Sequence, residues 1–164
     1  MIYLALNQNS CVNKDLIAFI EYSKDFQGVE LEFKDIDTHI QENVQFTAKD
    51  LSEYLEMYDL KLVNLLRLED FSLCSDTKFK NEIIPTLKKM MNLCYRTGCY
   101  LITVSPSFES RDIPQWRITR RTKEKLKELA KIAHKEDIKI GFEFSSLPDS
   151  SIPSLSEAKK VLKP

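Results

Sequence analysis

The sequence predicts an α/β fold in which about five parallel β-strands alternate with α-helices, as the front portion of a (β/α) barrel. Five short apolar segments are separated along the chain by longer amphipathic ones. No segment carries the Asn-Gly or Asp-Gly signal of a β-hairpin. Alternation without hairpins requires crossover connections, and these place the strands parallel to one another.

Five segments have the length and composition of strands. The second alternates strictly between apolar and acidic residues, and the others are short apolar runs that end in polar or turn-forming residues. The predicted strands are Ile2–Leu6, Val29–Phe33, Leu60–Leu66, Cys99–Val104 and Ile138–Phe144.

Helices are predicted in the four intervals between the strands and after the last strand. The first has Asn13 as its expected N-cap, and Thr47 with Asp50 has the spacing of a capping box before the second. Residues 34–46 are assigned to a polar connection that contains His39. This assignment leaves one helix between the second and third strands.

The later helices also carry local signals. Pro85 falls inside the apolar pattern of the third helix, which should therefore kink or begin near it. A long loop is expected from Ser105 to about Ile118 before the fourth helix, with Ser105 and Ser107 as turn residues beside Pro106. Ser154 and Glu157 form a capping box that opens the last helix.

Polar residues on one face of the strands favour a barrel over an open doubly wound sheet. Glu30 and Glu32 alternate with apolar residues, and Asn64 and Glu143 interrupt otherwise apolar strands. Strands covered by helices on both faces should be continuously apolar. A barrel instead turns one face toward its interior, where polar groups gather at the mouth.

Composition indicates one domain over residues 1–164 of an ordinary soluble protein. The formal net charge is −1, so no bulk charge attracts nucleic acid or an anionic membrane. The N-terminus does not resemble a signal peptide, and no apolar run has the roughly 20 residues of a membrane span. Four cysteines without CxxC spacing predict buried reduced thiols. We therefore expect a cytoplasmic protein.

Glu143 is the first candidate for chemistry, because it lies at the C-terminal end of the fifth predicted strand, with Phe142 and Phe144 pointing toward the helices. Barrel enzymes place their catalytic groups at that end of the strands. A carboxylate there suits a divalent cation or proton transfer, and the alternative is a strand-end glutamate paired with a lysine. Glu30 and Glu32 share the inward face of strand two, so at least one needs a basic or metal partner. The functional interpretation is a site group, with Glu30 as a substrate-binding residue, and the structural alternative is an internal salt bridge.

Other candidates are expected to bind a substrate. The amides of Asn7 and Asn64 can hydrogen-bond a polyol at the mouth, although asparagine also commonly ends strands. The loop after strand four carries Trp116 and Arg117. Together with Arg111, Arg120 and Arg121 these residues suit a phosphate-bearing substrate. Acidic residues interleave with the later bases, as on an ordinary solvated helix, which argues against a nucleic-acid surface.

A resemblance to a known family is carried by the segments LALNQN, GVELEF, DLKLVNL, LITVSPSF and LKELAKIAHKEDIKIGFEF. They resemble the xylose-isomerase-like TIM-barrel superfamily, which includes sugar isomerases and epimerases, inosose dehydratase-like enzymes and endonuclease IV-type apurinic endonucleases. The resemblance covers essentially the whole chain as the N-terminal part of a family barrel. It implies a partial (β/α) TIM-type barrel of about five strands.

The resemblance also implies a divalent metal, Mn²⁺, Mg²⁺, Co²⁺ or Zn²⁺, at the barrel mouth. In the family the strand-five glutamate is a metal ligand that helps to move the substrate proton, and this role carries over to Glu143. The family's other ligands come from strands six to eight, so the metal site is expected to be incomplete within the five predicted strands. The family's endonucleases use histidines on strands two and three, where this sequence has none.

The leading hypothesis is therefore a metal-dependent isomerase or epimerase acting on a sugar or sugar phosphate, by proton transfer next to a carbonyl. The alternative is a non-catalytic half-barrel that acts through homo-oligomerisation or a complementary barrel half, because two apolar sheet edges need cover. A nucleic-acid-binding or endonuclease module is the least favoured hypothesis.

Overall fold

Five parallel strands alternate with helices, as predicted. The computed structural model describes residues 4–12, 15–108, 112–147 and 149–163. The strands are hydrogen-bonded in the order β1-β2-β3-β4-β5. Their bounds are β1 (Ala5–Asn7), β2 (Gly28–Glu32), β3 (Lys61–Leu68), β4 (Leu101–Val104) and β5 (Lys139–Phe142). The predicted start of the first strand, at Ile2, lies outside the described residues.

Helices occupy every interval between the described strands. They are α1 (Leu16–Tyr22), α2 (Phe33–Glu42), α3 (Ala48–Met57), α4 (Asp76–Lys78), α5 (Ile84–Thr97), α6 (Gln115–His134) and α7 (Leu155–Leu162). Short 3₁₀ turns follow β1 and α1, and a π-helical segment, Phe79–Ile83, joins α4 to α5.

The chain divides into two compact units, and each is described by itself. The first unit contains residues 1–67 and 90–102, and the second contains residues 68–89 and 103–164. Large buried side chains fill both interiors, among them Phe19, Leu31 and Leu51 in the first unit and Phe71 and Leu129 in the second. The single domain expected from the length stays a prediction.

The prediction of a polar connection after β2 is wrong in part, because Phe33–Glu42 form the helix α2. Only Phe33, Ile36 and Ile40 are apolar in this helix, yet their spacing of three and four residues places them on one side. Ile36 is fully buried. The polar residues around this narrow apolar stripe hide the helical pattern in the sequence. His39 lies on this helix and not in a connection.

Local capping explains where two of the helices begin. Thr47 and Asp50 form the predicted capping box, in which each side chain accepts a hydrogen bond from the other residue's main chain. The Thr47 hydroxyl also donates to the Asp50 carboxylate, and this bond, together with the one from the Thr47 main-chain N–H, lowers the pKa of Asp50. The side chain of Asp15 caps α1 by accepting from the Ala18 main chain at 2.8 Å. The cap expected at Asn13 lies outside the described residues.

The helix around Pro85 is interrupted immediately before the proline, as expected. The main-chain N–H of Ile84 donates to the carbonyl of Phe79, five residues back, as in a π-helix. Pro85 has no N–H to continue the α-helical ladder. The Thr86 hydroxyl donates to the carbonyl of Glu82 at 2.8 Å, so this carbonyl keeps a partner.

All four cysteines are free thiols, and Cys74, Cys94 and Cys99 are buried. Among the described residues, no helix has the length and apolar character that a membrane span requires.

Candidate functional site

A carboxylate on β2 is held by two amides from the neighbouring strands β1 and β3. The Nδ2 of Asn7 donates to Oε2 of Glu30 at 2.6 Å, and the Nδ2 of Asn64 donates to Oε1 of the same residue at 3.1 Å. Asn64 is buried, and the other two residues are half-buried. Glu30 is therefore in contact with both of the amides that the sequence analysis assigned to substrate binding in this unit.

Strand register brings these three residues together. Asn7 pairs with Glu30 across β1 and β2, and Glu30 pairs with Asn64 across β2 and β3. The second pairing depends on an irregularity between Val29 and Glu30, where the register shifts by one residue. The Oδ1 of Asn7 accepts from the main chain of Asn9 at 2.8 Å, which turns the amide nitrogen of Asn7 toward Glu30.

Glu32 has the basic partner that its position requires. Arg67 donates from Nη2 and Nε to Oε1 of Glu32, at 3.0 and 3.3 Å, and Asn9 donates from Nδ2 to the same oxygen at 2.6 Å. The side chains of Glu32 and Arg67 are 17% and 30% exposed, so the pair is largely shielded from water. The structural alternative of an internal ion pair thus describes Glu32.

Gln8 links the polar residues of the first unit and was missed by the sequence analysis. Its Oε1 accepts from the main chain of Glu32 at 2.8 Å, and its Nε2 donates to Asp35 at 2.7 Å. Gln8 is 6% exposed, so both ends of a buried amide are satisfied. The available signal was the run of three amide residues, Asn7 to Asn9, directly after an apolar strand.

Glu143 lies in the second unit, one residue beyond the end of β5. Its main-chain N–H donates to the carbonyl of Val104 at 3.0 Å, and its side chain is exposed. Phe142 packs edge-to-face on Phe71, with ring centroids 6.2 Å apart. β5 ends at Phe142, two residues before the predicted end at Phe144, and Phe144 is 37% exposed. Glu143 is thus placed at a strand end, where its carboxylate is accessible.

The aromatic and basic residues after β4 have separate roles within the second unit. Trp116 is 66% exposed in the first turn of α6, and the guanidinium of Arg120 lies over its ring at 5.8 Å. Arg120 also pairs with Glu124 at 3.8 Å. Arg121 donates to two main-chain carbonyls in the loop after β3. Arg117 is exposed, and Arg111 lies outside the described residues. Arg121, one of the residues expected to bind a phosphate-bearing substrate, therefore has a structural role.

Buried serines connect the loops of the second unit. The main-chain N–H of Ser107 donates to Oγ of Ser72 at 2.9 Å, and Oγ of Ser107 accepts from the main chain of Leu73 at 3.0 Å. The main chain of Ser151 donates to the Ser107 carbonyl at 3.0 Å. Ser107 is therefore a structural residue in which both main-chain and side-chain groups are used, consistent with its interpretation as a turn residue.

Metal binding needs more ligands than the described residues provide together. No group of three or more His, Cys, Asp or Glu side chains in residues 4–12, 15–108, 112–147 and 149–163 is placed to hold a metal ion. His39, on α2, packs edge-to-face on Phe46, in the connection to α3, with ring centroids 4.6 Å apart. Glu143 offers one carboxylate, which does not form a stable site alone. The described residues therefore do not fit a metal by themselves.

Two buried thiols of the first unit, Cys94 and Cys99, lie on α5 and just before β4. A hydrogen bond between the two side chains lowers the pKa of Cys99 and raises the pKa of Cys94. Burial adds to the rise at Cys94 and opposes the fall at Cys99.

Comparison with known proteins identifies similar barrels. A family model described as a xylose isomerase-like TIM barrel matches residues 22–163. An inosose isomerase of Bacillus velezensis is 26% identical over 155 residues, which are 94% of this chain and 54% of that protein. This chain thus spans about half the length of the curated relative that it matches.

Solved structures support the same fold. The crystal structure of the IOLI protein with a bound zinc atom has a TM-score of 0.87 and 24% identity, over 98% of this chain and 58% of that one. The D-psicose 3-epimerase of Clostridium cellulolyticum H10, solved with D-tagatose, has a TM-score of 0.70 and 13% identity, over 98% and 60% of the two chains. The predicted choice of a TIM-type barrel over an open sheet is confirmed.

Proposed function

Because this chain belongs to the xylose isomerase-like TIM-barrel family, we propose that it supplies the first part of an isomerase or epimerase site for a polyhydroxy ketone, a sugar or an inosose. The observation that carries the proposal is the Glu30 carboxylate held by the amides of Asn7 and Asn64 at 2.6 and 3.1 Å. Carboxylates accept hydrogen bonds from hydroxyl groups, and amides both accept from them and donate to them; hydroxyl groups are the main functional groups of such substrates.

Glu143 is the group that moves the proton in this proposal. Its position just beyond β5 corresponds to the strand end where barrel enzymes carry their chemistry. An accessible carboxylate can take a proton from the carbon next to a carbonyl and return it. Trp116, with its exposed ring, is assigned to contact the apolar face of the substrate, and Arg117 to donate to its oxygen atoms.

A divalent metal enters the proposal only as an addition to the described residues. Glu143 would contribute one ligand, and a bound cation would polarise the substrate carbonyl. The remaining ligands would have to come from outside the described group of side chains, so no step is assigned to the metal. The phosphate form of the substrate is less favoured, because Arg121 is bound to main-chain carbonyls.

Proton exchange tests this proposal directly. The 164-residue chain is incubated with an inosose in D₂O, with Mg²⁺, with Zn²⁺ or with chelator, and deuterium at the carbon next to the carbonyl is followed by NMR. We expect exchange above the buffer rate, and a loss of about 100-fold or more in Glu143→Gln. The matched control is Glu136→Gln, an exposed glutamate beyond α6, which should exchange like the wild type. Wild-type exchange at the buffer rate under every condition would contradict the proposal.

The second candidate is a non-catalytic half-barrel that acts with a second copy or a complementary chain. It is favoured by the lack of a three-ligand metal group in the part of the chain that the structure describes. Sedimentation velocity distinguishes the two candidates when it is combined with the exchange experiment. Stable self-association without exchange supports the half-barrel, and exchange by a monomer excludes it.

A further inference from the structure

One buried hydroxyl group has no hydrogen-bond partner within the described residues. Ser105 directly follows β4 and is 4% exposed, and its Oγ is the one buried side-chain nitrogen or oxygen without a partner in that part of the chain. The turn role expected for Ser105 from the sequence uses its main chain, whose N–H donates to the Leu68 carbonyl at 3.0 Å. That role leaves the side-chain hydroxyl unexplained.

The neighbouring serines make the contrast clear. Ser107, two residues later, is 1% exposed and uses its Oγ to accept from the Leu73 main chain at 3.0 Å. Ser72 accepts from the Ser107 main chain at 2.9 Å. Burying a hydroxyl without a partner is unfavourable, and alanine at that position would remove the penalty. An unsatisfied buried group in a folded protein therefore calls for a ligand or another functional reason.

Strand pairing places Ser105 beside Glu143. The main-chain N–H of Glu143 donates to the carbonyl of Val104 at 3.0 Å. In a parallel pair, an N–H that bonds the carbonyl of one residue lies opposite the next residue along the partner strand. Glu143 is thus opposite Ser105, and paired residues project their side chains to the same face of a sheet. The hydroxyl without a partner and the candidate proton-transfer carboxylate are lateral neighbours.

We propose that Ser105 contacts the substrate and donates its hydroxyl proton in a hydrogen bond to the substrate carbonyl oxygen beside Glu143. This inference rests on the proposed function. When Glu143 takes the proton from the adjacent carbon, the electron pair of the broken C–H bond forms a C=C bond to the carbonyl carbon. The carbonyl π pair moves to oxygen, and the Ser105 hydroxyl stabilises the charge that develops there. Return of the proton from Glu143 reverses the electron flow and restores the C–H bond.

Binding and stability together test this assignment, with Ser107 as the matched control. The variants Ser105→Ala and Ser107→Ala are made in the 164-residue chain, and calorimetry measures their affinity for an inosose and for inositol, which lacks the carbonyl. We expect Ser105→Ala to weaken inosose binding by about 5-fold to 10-fold and to leave inositol binding unchanged. Its Tm should equal or exceed that of the wild type, whereas Ser107→Ala should lower the Tm.

Each result has one meaning. Wild-type binding of inosose that is unchanged in Ser105→Ala overturns the assignment of Ser105 alone. A fall in Tm in Ser105→Ala as large as that in Ser107→Ala also overturns it, because the hydroxyl would then have a structural bond. A wild-type chain that neither binds inosose nor exchanges its proton overturns the proposed function and the Ser105 assignment with it. The proposal stands if the inosose-specific loss and the retained Tm occur together.

Discussion

The two units differ in how completely the buried polar groups of their strands are bonded. In the first unit, both oxygens of Glu30 accept from amides, and Gln8 is bonded at both ends of its side chain. In the second unit, the buried hydroxyl of Ser105, directly after β4, has no partner among the described residues. The first arrangement fixes its side chains in advance, whereas the second leaves bonding capacity for a ligand.

This difference separates two requirements of a binding site. Pre-oriented amides and carboxylates reduce the ordering that a bound polyol would otherwise require. A group that must respond to charge during a reaction cannot already be saturated, because its stabilising bond has to be made with the substrate. The saturated group around Glu30 therefore meets the first requirement, and the hydroxyl of Ser105 meets the second.

The largest expected change breaks the saturated group of the first unit. Replacing Glu30 with leucine removes the acceptor of both Asn7 and Asn64 and leaves two amide donors facing an apolar side chain. We expect the free energy of unfolding to fall by about 3 kcal/mol, as measured by urea denaturation. Glu136→Leu, at an exposed turn, should change it by less than about 0.5 kcal/mol. Equal losses in the two variants would show that the amide bonds do not stabilise the fold.

A smaller change in stability is expected when the ion pair between Glu32 and Arg67 is broken. Arg67→Met removes two guanidinium donors from Glu32 and keeps the bond from the Asn9 amide, and the pair is only partly exposed. We expect a loss of about 1–2 kcal/mol, less than for a fully buried pair, because water still reaches both groups.

A double-mutant cycle isolates the interaction between these two residues. Glu32→Gln combined with Arg67→Met should cost less than the sum of the single variants, because the double variant no longer leaves a charge without its partner. Strict additivity in the cycle would mean that the 3.0 Å contact contributes nothing to stability.

The smallest expected change in stability concerns the carboxylate of Asp50, which accepts two hydrogen bonds from Thr47. Hydrogen bonds from Thr47 lower the pKa of Asp50 in the folded protein. A lowered folded pKa stabilises the protein above the unfolded pKa, and the stabilisation disappears as the pH falls through the folded pKa. Asp50→Asn should therefore be slightly less stable than the wild type at pH 7, and the difference should shrink as the pH falls toward 2.

Thermal melts of the two proteins at both pH values measure this difference. A gap that persists in full at low pH would indicate a steric effect of the asparagine instead of the loss of a charged acceptor.

The order and type of the strands could be predicted from local pattern, because each apolar run is long enough to mark a buried strand. The helix α2 was missed because its burial depends on a single fully buried residue, Ile36, in an otherwise polar segment. Amphipathic pattern is weak when one contact with the core is enough to hold a short helix.

The candidate residues could be named from sequence, but their partners could not. Glu30 meets Asn64 only because the register shifts by one residue between Val29 and Glu30. Without this shift, Val63 would occupy the position opposite Glu30, and the Asn64 side chain would turn to the other face. No residue type near Val29 signals the irregularity, which results from the packing of whole strands. The partnerless hydroxyl of Ser105 is likewise a property of its surroundings, and serine beside Pro106 is an ordinary turn sequence.

The π-helical segment Phe79–Ile83 has a consequence for how this chain can change over generations. The segment closes its main-chain hydrogen bond over five residues instead of the four of an α-helix, and it ends two residues before Pro85. Deleting one residue here while Pro85 remains would bring the proline ring against the carbonyl groups of a regular α-helical turn. Replacing Pro85 alone would leave an extra residue whose removal is then harmless. The two changes are therefore epistatic, and the order in which they can be tolerated is fixed: the proline must be lost before the helix can shorten.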